Sequence, residues 1–326
     1  MKKQFSIAAL AALSLIGAAA LPAQAQLIAA DSYLIGTDPT AGEYQAGVFL
    51  RSQPDNLQNT GFVNGRYAGG TGTSQFTATT VGLVNTALGA DTASSGKVTY
   101  AAAPLDNVAR SNARNLATPV PTSNTYWLGH LVNRGNIPGS GGNGFVLSGF
   151  GNATVPLLGT TSGNTAGLFV GFAQNGVTGN FGSLIIRHRT GANFNSDEVL
   201  INGATTSTFG TTYFVVMKLE VNVNGGQDRV TWWLNPTSLL SEADLTATAA
   251  ATNTFNSFAL QGATDFVRLN YVSQNWNGTA FFDEPRLGIT LQETFGVSAA
   301  PEPGTMALAL LGLGAFAAIH RRNRKL

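Results

Sequence analysis

The chain has 326 residues, 44% of them hydrophobic and only 11% charged, with 39 glycines and no cysteine. The lack of thiols excludes disulfides, thiolate nucleophiles, Cys-ligated zinc and iron–sulfur clusters in one step. The net charge is +1, but six of the 18 Lys and Arg and one of the 17 acids lie at the two ends, leaving residues 26–300 at 12 basic, 16 acidic and net −4. That interior has too few cations to neutralise a phosphate backbone, so nucleic acid is excluded as a partner.

The amino-terminal 25 residues read as an export signal. Lys2 and Lys3 form a positive start, Ile7 to Leu21 is apolar apart from Ser14 and Gly17, and Ala23-Gln24-Ala25 is a small-x-small cleavage site. Cleavage after Ala25 leaves a chain beginning at Gln26, handled by the export machinery.

Residues 26–95 are rich in Gly, Thr and Asn, with turn signals at Asp38-Pro39, Pro54-Asp55 and Asn64-Gly65. They predict loops and short edge strands. From Gly96 the pattern becomes regular. Strands are predicted at 97–102, 125–132, 144–150, 167–173, 183–188, 212–223, 229–234, 255–261, 266–272 and 280–287, most of them separated by Gly, Asn or Pro turn chemistry. The clearest is Thr212–Val223, where Val215, Met217, Leu219, Val221 and Val223 alternate with Val216, Lys218, Glu220 and Asn222. Asn224-Gly225-Gly226 then supplies a hairpin, and the chain returns with Val230, Trp232 and Leu234 on the inner face until Asn235-Pro236 ends the pairing. The one helical candidate is Ser238–Ala251, where Ser241 could cap a short turn; its Ala/Thr content equally suits a loop.

Many short strands with few helices predict an all-β fold, an antiparallel β-sandwich spanning residues 26–296. The segment from Tyr213 through Trp232-Trp233-Leu234-Asn235-Pro236 to Phe282-Asp283-Glu284-Pro285-Arg286-Leu287-Gly288 resembles the concanavalin A-like jelly roll. Asp283, Glu284, Arg286 and Gly288 match the run that closes such sandwiches, and Pro285 departs from it, which points to an edge or a bulge.

Catalytic chemistry finds little support in the motifs. His130 alternates with Leu128 and Val132 on a strand, and His188 sits between Arg187 and Arg189, with no Ser or Asp placed beside either by motif. Neither a Gly-x-Ser-x-Gly elbow nor a His-Glu-x-x-His occurs. Gly139–Gly144 matches Gly-x-Gly-x-x-Gly in form, but Pro138 precedes it and a strand follows, so it is a loop. Asp283-Glu284 and Asp197-Glu198 are adjacent pairs that point to opposite faces of a strand. A glycan hydrolase would need two carboxylates about 5–10 Å apart. Distant strands must then supply them, and facing carboxylates in one groove are the sign to look for. Asn193, Asn195, Asp197 and Glu198 form a weak calcium candidate, and no other cofactor is expected. Trp233 and Trp276 are the candidate glycan contacts, since aromatic rings exposed on a sheet face or in a polar loop stack on sugars.

Residues 297–326 form a second signal. Pro301-Glu302-Pro303 stops regular structure, Met306 to Ile319 is an uncharged run of 14 residues, and Arg321, Arg322, Arg324 and Lys325 crowd the end. As a helix the run spans about 21 Å at ~1.5 Å per residue, short of a ~30 Å bilayer core. A short hydrophobic membrane helix over about 304–320 is expected. Its order of parts resembles the PEP-CTERM sorting signal of Gram-negative bacteria, carried here by Pro301, Glu302, Pro303, Arg321, Arg322 and Arg324. The resemblance implies an exosortase-like processing partner, an inner-membrane intermediate, and delivery to the cell surface or extracellular matrix. The leading expectation is thus an exported, non-catalytic surface or matrix protein, with polysaccharide binding as a subsidiary expectation. The alternatives are a jelly-roll glycan hydrolase and an unprocessed protein anchored by its carboxyl-terminal segment.

Overall fold

In the computed structural model the described residues are 27–31, 33, 35–36, 43–53, 61–63, 67–69, 76–85, 96–101, 110–136, 144–152, 166–174, 181–190, 198–200, 207–224, 226–257, 260 and 262–296. The export signal, residues 139–143 of the glycine-rich loop and the sorting tail lie outside them. So do Asn193, Asn195 and Asp197, and the side chain of Glu198.

Fifteen strands are present among the described residues. In chain order they are β1 (Leu27–Ala30), β2 (Ala68–Gly69), β3 (Phe76–Thr79), β4 (Lys97–Tyr100), β5 (Arg110–Asn115), β6 (Thr125–Arg134), β7 (Phe145–Gly151) and β8 (Ala166–Gln174). There follow β9 (Phe181–Thr190), β10 (Glu198–Leu200), β11 (Thr212–Asn224), β12 (Gln227–Leu234), β13 (Ala251–Ser257), β14 (Arg268–Gln274) and β15 (Ala280–Gly288). Three short α-helices, α1 (Glu242–Thr248), α2 (Gly262–Asp265) and α3 (Leu291–Phe295), and a 3-10 helix at Leu50–Ser52 accompany them.

The strands form two antiparallel sheets. The first has the order β13-β12-β11-β6-β15-β4-β3, with β1 added on β15; the second is β10-β9-β8-β7-β14-β5-β2. Strand β15 serves two neighbours on one side because a bulge between Asp283 and Arg286 divides it. Its first half pairs with β4 and its second with β1. Pro285 lies in that bulge, where its missing N–H removes no ladder bond, and Glu284 takes φ +48 there. Of the two readings of Pro285, the bulge holds; β15 is a central strand of its sheet.

Between the sheets lies the main core. Leu128, Val132, Val215, Met217, Val230 and Trp232 of the first sheet meet Val146, Phe150, Val170, Phe172, Ile186 and Leu269 of the second, all buried. The alternation of β11 is as the sequence predicts through Leu219. It ends at a register shift between Glu220 and Asn224, with Asn222 at φ +58, and Val223 emerges 42% exposed. The opposite face of β11 is covered in its middle. Phe214 and Val216 pack into a second layer with Leu83, Trp127, Leu239 and Leu245, so the middle of the strand is buried on both sides.

Helices α1 and α3 build that outer layer. Ser241 caps α1 by accepting the Asp244 N–H at 3.1 Å, and Glu242 and Asp244 place negative charge at its start. Leu245 is its buried residue. Helix α3 is capped by Thr290 and ends at Gly296, whose φ of +67 is the left-handed value that favours glycine at this position. Phe295 of α3 lies across β6, where a Cβ on Gly129 would stand 2.3 Å from its ring; glycine is what admits the helix.

A buried polar cluster ties the loop-rich amino-terminal part to the second sheet. Asp31 follows β1 and accepts the Tyr33 N–H at 2.9 Å, the Tyr44 hydroxyl at 2.5 Å and the Tyr67 hydroxyl at 3.4 Å. Arg114 of β5 stands 3.6 Å from the same carboxylate and donates to Tyr44 Oη at 3.2 Å and to the Val63 carbonyl. Burial, with Asp31 alongside, pushes the Tyr44 and Tyr67 phenols up, so both remain donors.

Candidate functional site

Strands β11, β12 and β13 continue outward beyond the layer formed by α1, and there the first sheet carries an open recess of about 390 Å³. Its floor follows from the alternation of β12. With Val230, Trp232 and Leu234 facing the core, Arg229, Thr231 and Trp233 face out, opposite Thr254 and Thr252 of β13. Glu220 comes from β11, and Glu242 and Thr246 from α1.

Charges in the recess are paired. Arg229 grips Glu220 through two bonds of 2.8 Å, Nε to Oε2 and Nη2 to Oε1. Lys218 Nζ lies 2.7 Å from Glu242 Oε2 and 3.4 Å from Glu220 Oε1, so one ammonium joins the two carboxylates. Arg229, with Lys218 beside it, holds the Glu220 carboxyl below the usual range. The hydroxyls are fixed as well. Thr231 and Thr254 share a bond of 3.0 Å, Thr252 donates to the Trp232 carbonyl at 2.8 Å, and Thr246 accepts the Trp233 indole N–H at 3.0 Å.

The two tryptophans expected to meet glycan do not present open faces. Trp233 is 1% exposed: its ring stacks on Trp127 at 5.6 Å and an interplanar angle of 17°, under the layer made by α1. The outward face of β12 predicted from alternation is correct, but a helix covers it. Trp276 is fully buried and stacks on Phe172 at 6.3 Å, because its polar loop folds inward over the core rather than out. Trp233 reaches the recess as part of its wall, and stacking on a sugar is not available to Trp276.

The remaining candidates are structural. His130 is buried on the inner face, 3.5 Å from Ser148 Oγ, and burial pulls its pKa to about 3, so it stays neutral. His188 is buried with its ring 4.9 Å from that of Phe255. Asp283 and Glu284 separate as their adjacency predicts. Asp283 accepts the Leu83 N–H at 2.7 Å and is pushed well up by burial, while Glu284 pairs with Arg286 at 2.8 Å. No group of three His, Cys, Asp or Glu suited to a metal occurs among the described residues, and no helix among them is long and apolar enough to cross a membrane.

No curated protein matches the sequence. Among solved structures the chain is similar to an endo-β-1,4-glucuronan lyase from the fungus Trichoderma reesei, at 13% identity over 66% of this chain and 89% of that one, TM-score 0.40. It is similar also to a Lotus tetragonolobus seed lectin, at 11% identity over 67% and 94%, TM-score 0.38. Peanut lectin with a 9mer peptide follows at 11% identity over 60% and 87%, TM-score 0.38. At these scores the sandwich assignment rests on the strand ladders themselves. Residues 299–325 match the PEP-CTERM protein-sorting motif, so the chain carries a carboxyl-terminal sorting signal of the kind that implies recognition by an exosortase.

Proposed function

We propose that this is an exported, non-catalytic protein of the bacterial surface or extracellular matrix, held briefly in the inner membrane by its tail and processed at the Pro301-Glu302-Pro303 turn. The match of residues 299–325 carries the reading. The β-sandwich in front of the motif supports it as well, because its large two-layered core holds a cysteine-free domain together outside the cell without disulfides. A neutral, hydroxyl-rich and amide-rich surface suits contact with polysaccharide.

The hydrolase reading gains one observation and loses another. Glu220 of β11 and Glu242 of α1 do share one recess, though they come from one contiguous stretch of chain and not from distant strands. A general acid, however, needs a carboxyl whose pKa is raised. Glu220 is shifted the other way and is bonded at both oxygens to Arg229. That chemistry favours a binding role for the recess.

Mass determination of the cell-derived protein tests the proposal. Loss of the residues following the Pro-Glu-Pro turn, together with residues 1–25, is the expected result. A carboxyl terminus intact at Leu326 in the surface fraction overturns it.

A further inference from the structure

We infer that the recess formed by β11, β12, β13 and α1 is a binding site for a neutral polysaccharide, selective against uronate or sulfated chains. This rests on the reading of a surface or matrix protein and names the ligand class that such a protein would hold.

Size and shape come first. About 390 Å³ falls within the roughly 300–1,000 Å³ of small-ligand sites, and the recess is open, as a chain that enters and leaves requires. Its rim is exposed: Glu242 and Thr246 on one side, Thr252, Asn253 and Thr254 of the sheet's last strand on the other.

Charge decides the class. The two carboxylates of Glu220 and Glu242 are balanced by Arg229 and Lys218, each already engaged at 2.7–2.8 Å with a carboxylate oxygen. An anionic glycan would meet Glu220 or Glu242 beside each cation it could reach, so the paired charges offer it little net attraction and set like charge against it. A metal ion fares no better, because the Lys218 ammonium already stands between the two carboxylates. A hydroxylated neutral chain meets no such repulsion. Carboxylate oxygens accept several bonds each, and Thr hydroxyls can both donate and accept. The lining therefore meets sugar hydroxyls while its own ion pairs stay intact.

Rigidity favours affinity. The Arg229–Glu220 fork, the Thr231–Thr254 pair and the Trp233–Thr246 bond fix the lining before any ligand arrives, so little side-chain entropy remains to be lost on binding.

Calorimetric titration of the purified full-length protein tests this with hexaoses of β-1,4-glucose, β-1,3-glucose, α-1,4-glucose, β-1,4-xylose and β-1,4-mannose, alongside oligomers of alginate and polygalacturonate. At least one neutral hexaose is expected to bind at least tenfold more tightly than either uronate. Thr254→Arg and Thr231→Lys, which fill the recess from exposed or half-exposed positions, are expected to weaken that binding at least tenfold with an unchanged melting temperature. Absence of binding to every neutral hexaose, equal or tighter binding of the uronates, or binding indifferent to both substitutions overturns the assignment. An intact Leu326 refutes the sorting proposal and leaves these titrations to stand or fall alone.

Discussion

Replacing Arg114 by Met tests whether the buried polar cluster holds the amino-terminal part of the chain to the sandwich. Arg114 is 2% exposed and Asp31 fully buried, with Nη1 and Oδ2 3.6 Å apart. Methionine fills most of the volume but takes the guanidinium from the Asp31 carboxylate, the Tyr44 hydroxyl and the Val63 carbonyl. Removing one partner of a buried ion pair costs about 3–5 kcal/mol. At about 2–4 °C per kcal/mol for a domain of this size, the melting temperature should fall by roughly 10 °C. Urea unfolding followed by tryptophan fluorescence measures the same loss as a lower midpoint at constant slope. Adding Asp31→Asn removes the carboxylate charge; its one oxygen still accepts the Tyr33 N–H, and its amide N–H can donate to the Tyr44 hydroxyl in place of Arg114. The double variant is therefore expected to recover at least half of the loss. An Arg114→Met cost below about 1 kcal/mol, or a double variant no better than the single, refutes the view that this charge pair anchors the region.

Two further substitutions probe the outer layer and the buried titratable groups. Gly129→Ala places a methyl 2.3 Å from the Phe295 ring, and overpacking of this kind costs about 1–3 kcal/mol; calorimetric melting reads it, and Phe295→Leu in the same chain should relieve it. His130, with a folded-state pKa of about 3 against an ordinary 6.5, binds a proton in the unfolded chain but not in the folded one between those values. Stability should fall as pH drops from about 6.5 toward 3, at up to about 1.4 kcal/mol per pH unit. His130→Leu should flatten that slope in urea midpoints measured across the range. Asp283 works in the opposite sense: its raised pKa keeps a proton in the folded state, so its contribution declines as pH rises above about 4. Asp283→Asn keeps an acceptor for the Leu83 N–H but not also for the Glu284 N–H, so it carries a cost, and that cost should shrink as pH rises above about 4; a cost that does not change with pH refutes the raised pKa.

Where apolar alternation exists, the strands can be read directly. Strand β11, the β11–β12 hairpin, the Ser241 cap and the bulge around Pro285 all declare themselves in residue type and spacing. Strand β5 does not. Its sequence Arg-Ser-Asn-Ala-Arg-Asn carries no apolar period, yet its first five residues are buried. They are paid for by tertiary partners such as Asp31 and Tyr44, which lie 70 or more residues away, and no local rule can see such partners. The recess escaped for a related reason. Its residues come from two hairpinned strands, the edge strand beyond them and a helix, and only the register Val216↔Trp233, Thr231↔Thr254 brings them together. Trp233 shows the limit most clearly. Alternation gives its face correctly, while its burial depends on α1 folding back over the sheet, which the Ala/Thr composition of 242–250 does not announce.

The first and last strands of the body, β1 and β15, are neighbours. Leu27 pairs with Gly288, so the point where the chain leaves its expected export signal lies beside the strand end from which it runs toward its sorting motif. Helix α3 is seated on this pole, with Leu291, Thr294 and Phe295 buried, and it ends at Gly296, three positions before the matched residues begin. The left-handed turn at Gly296 terminates the helix. At no more than about 3.6 Å per residue, the five steps from Gly296 to Pro301 reach at most roughly 18 Å. An enzyme that acts at the Pro-Glu-Pro turn thus works close to a folded surface made of α3, β1 and β15. The proposed cleavages, after Ala25 and at the Pro-Glu-Pro turn, both fall outside the β1–β15 pairing and spare every residue in it.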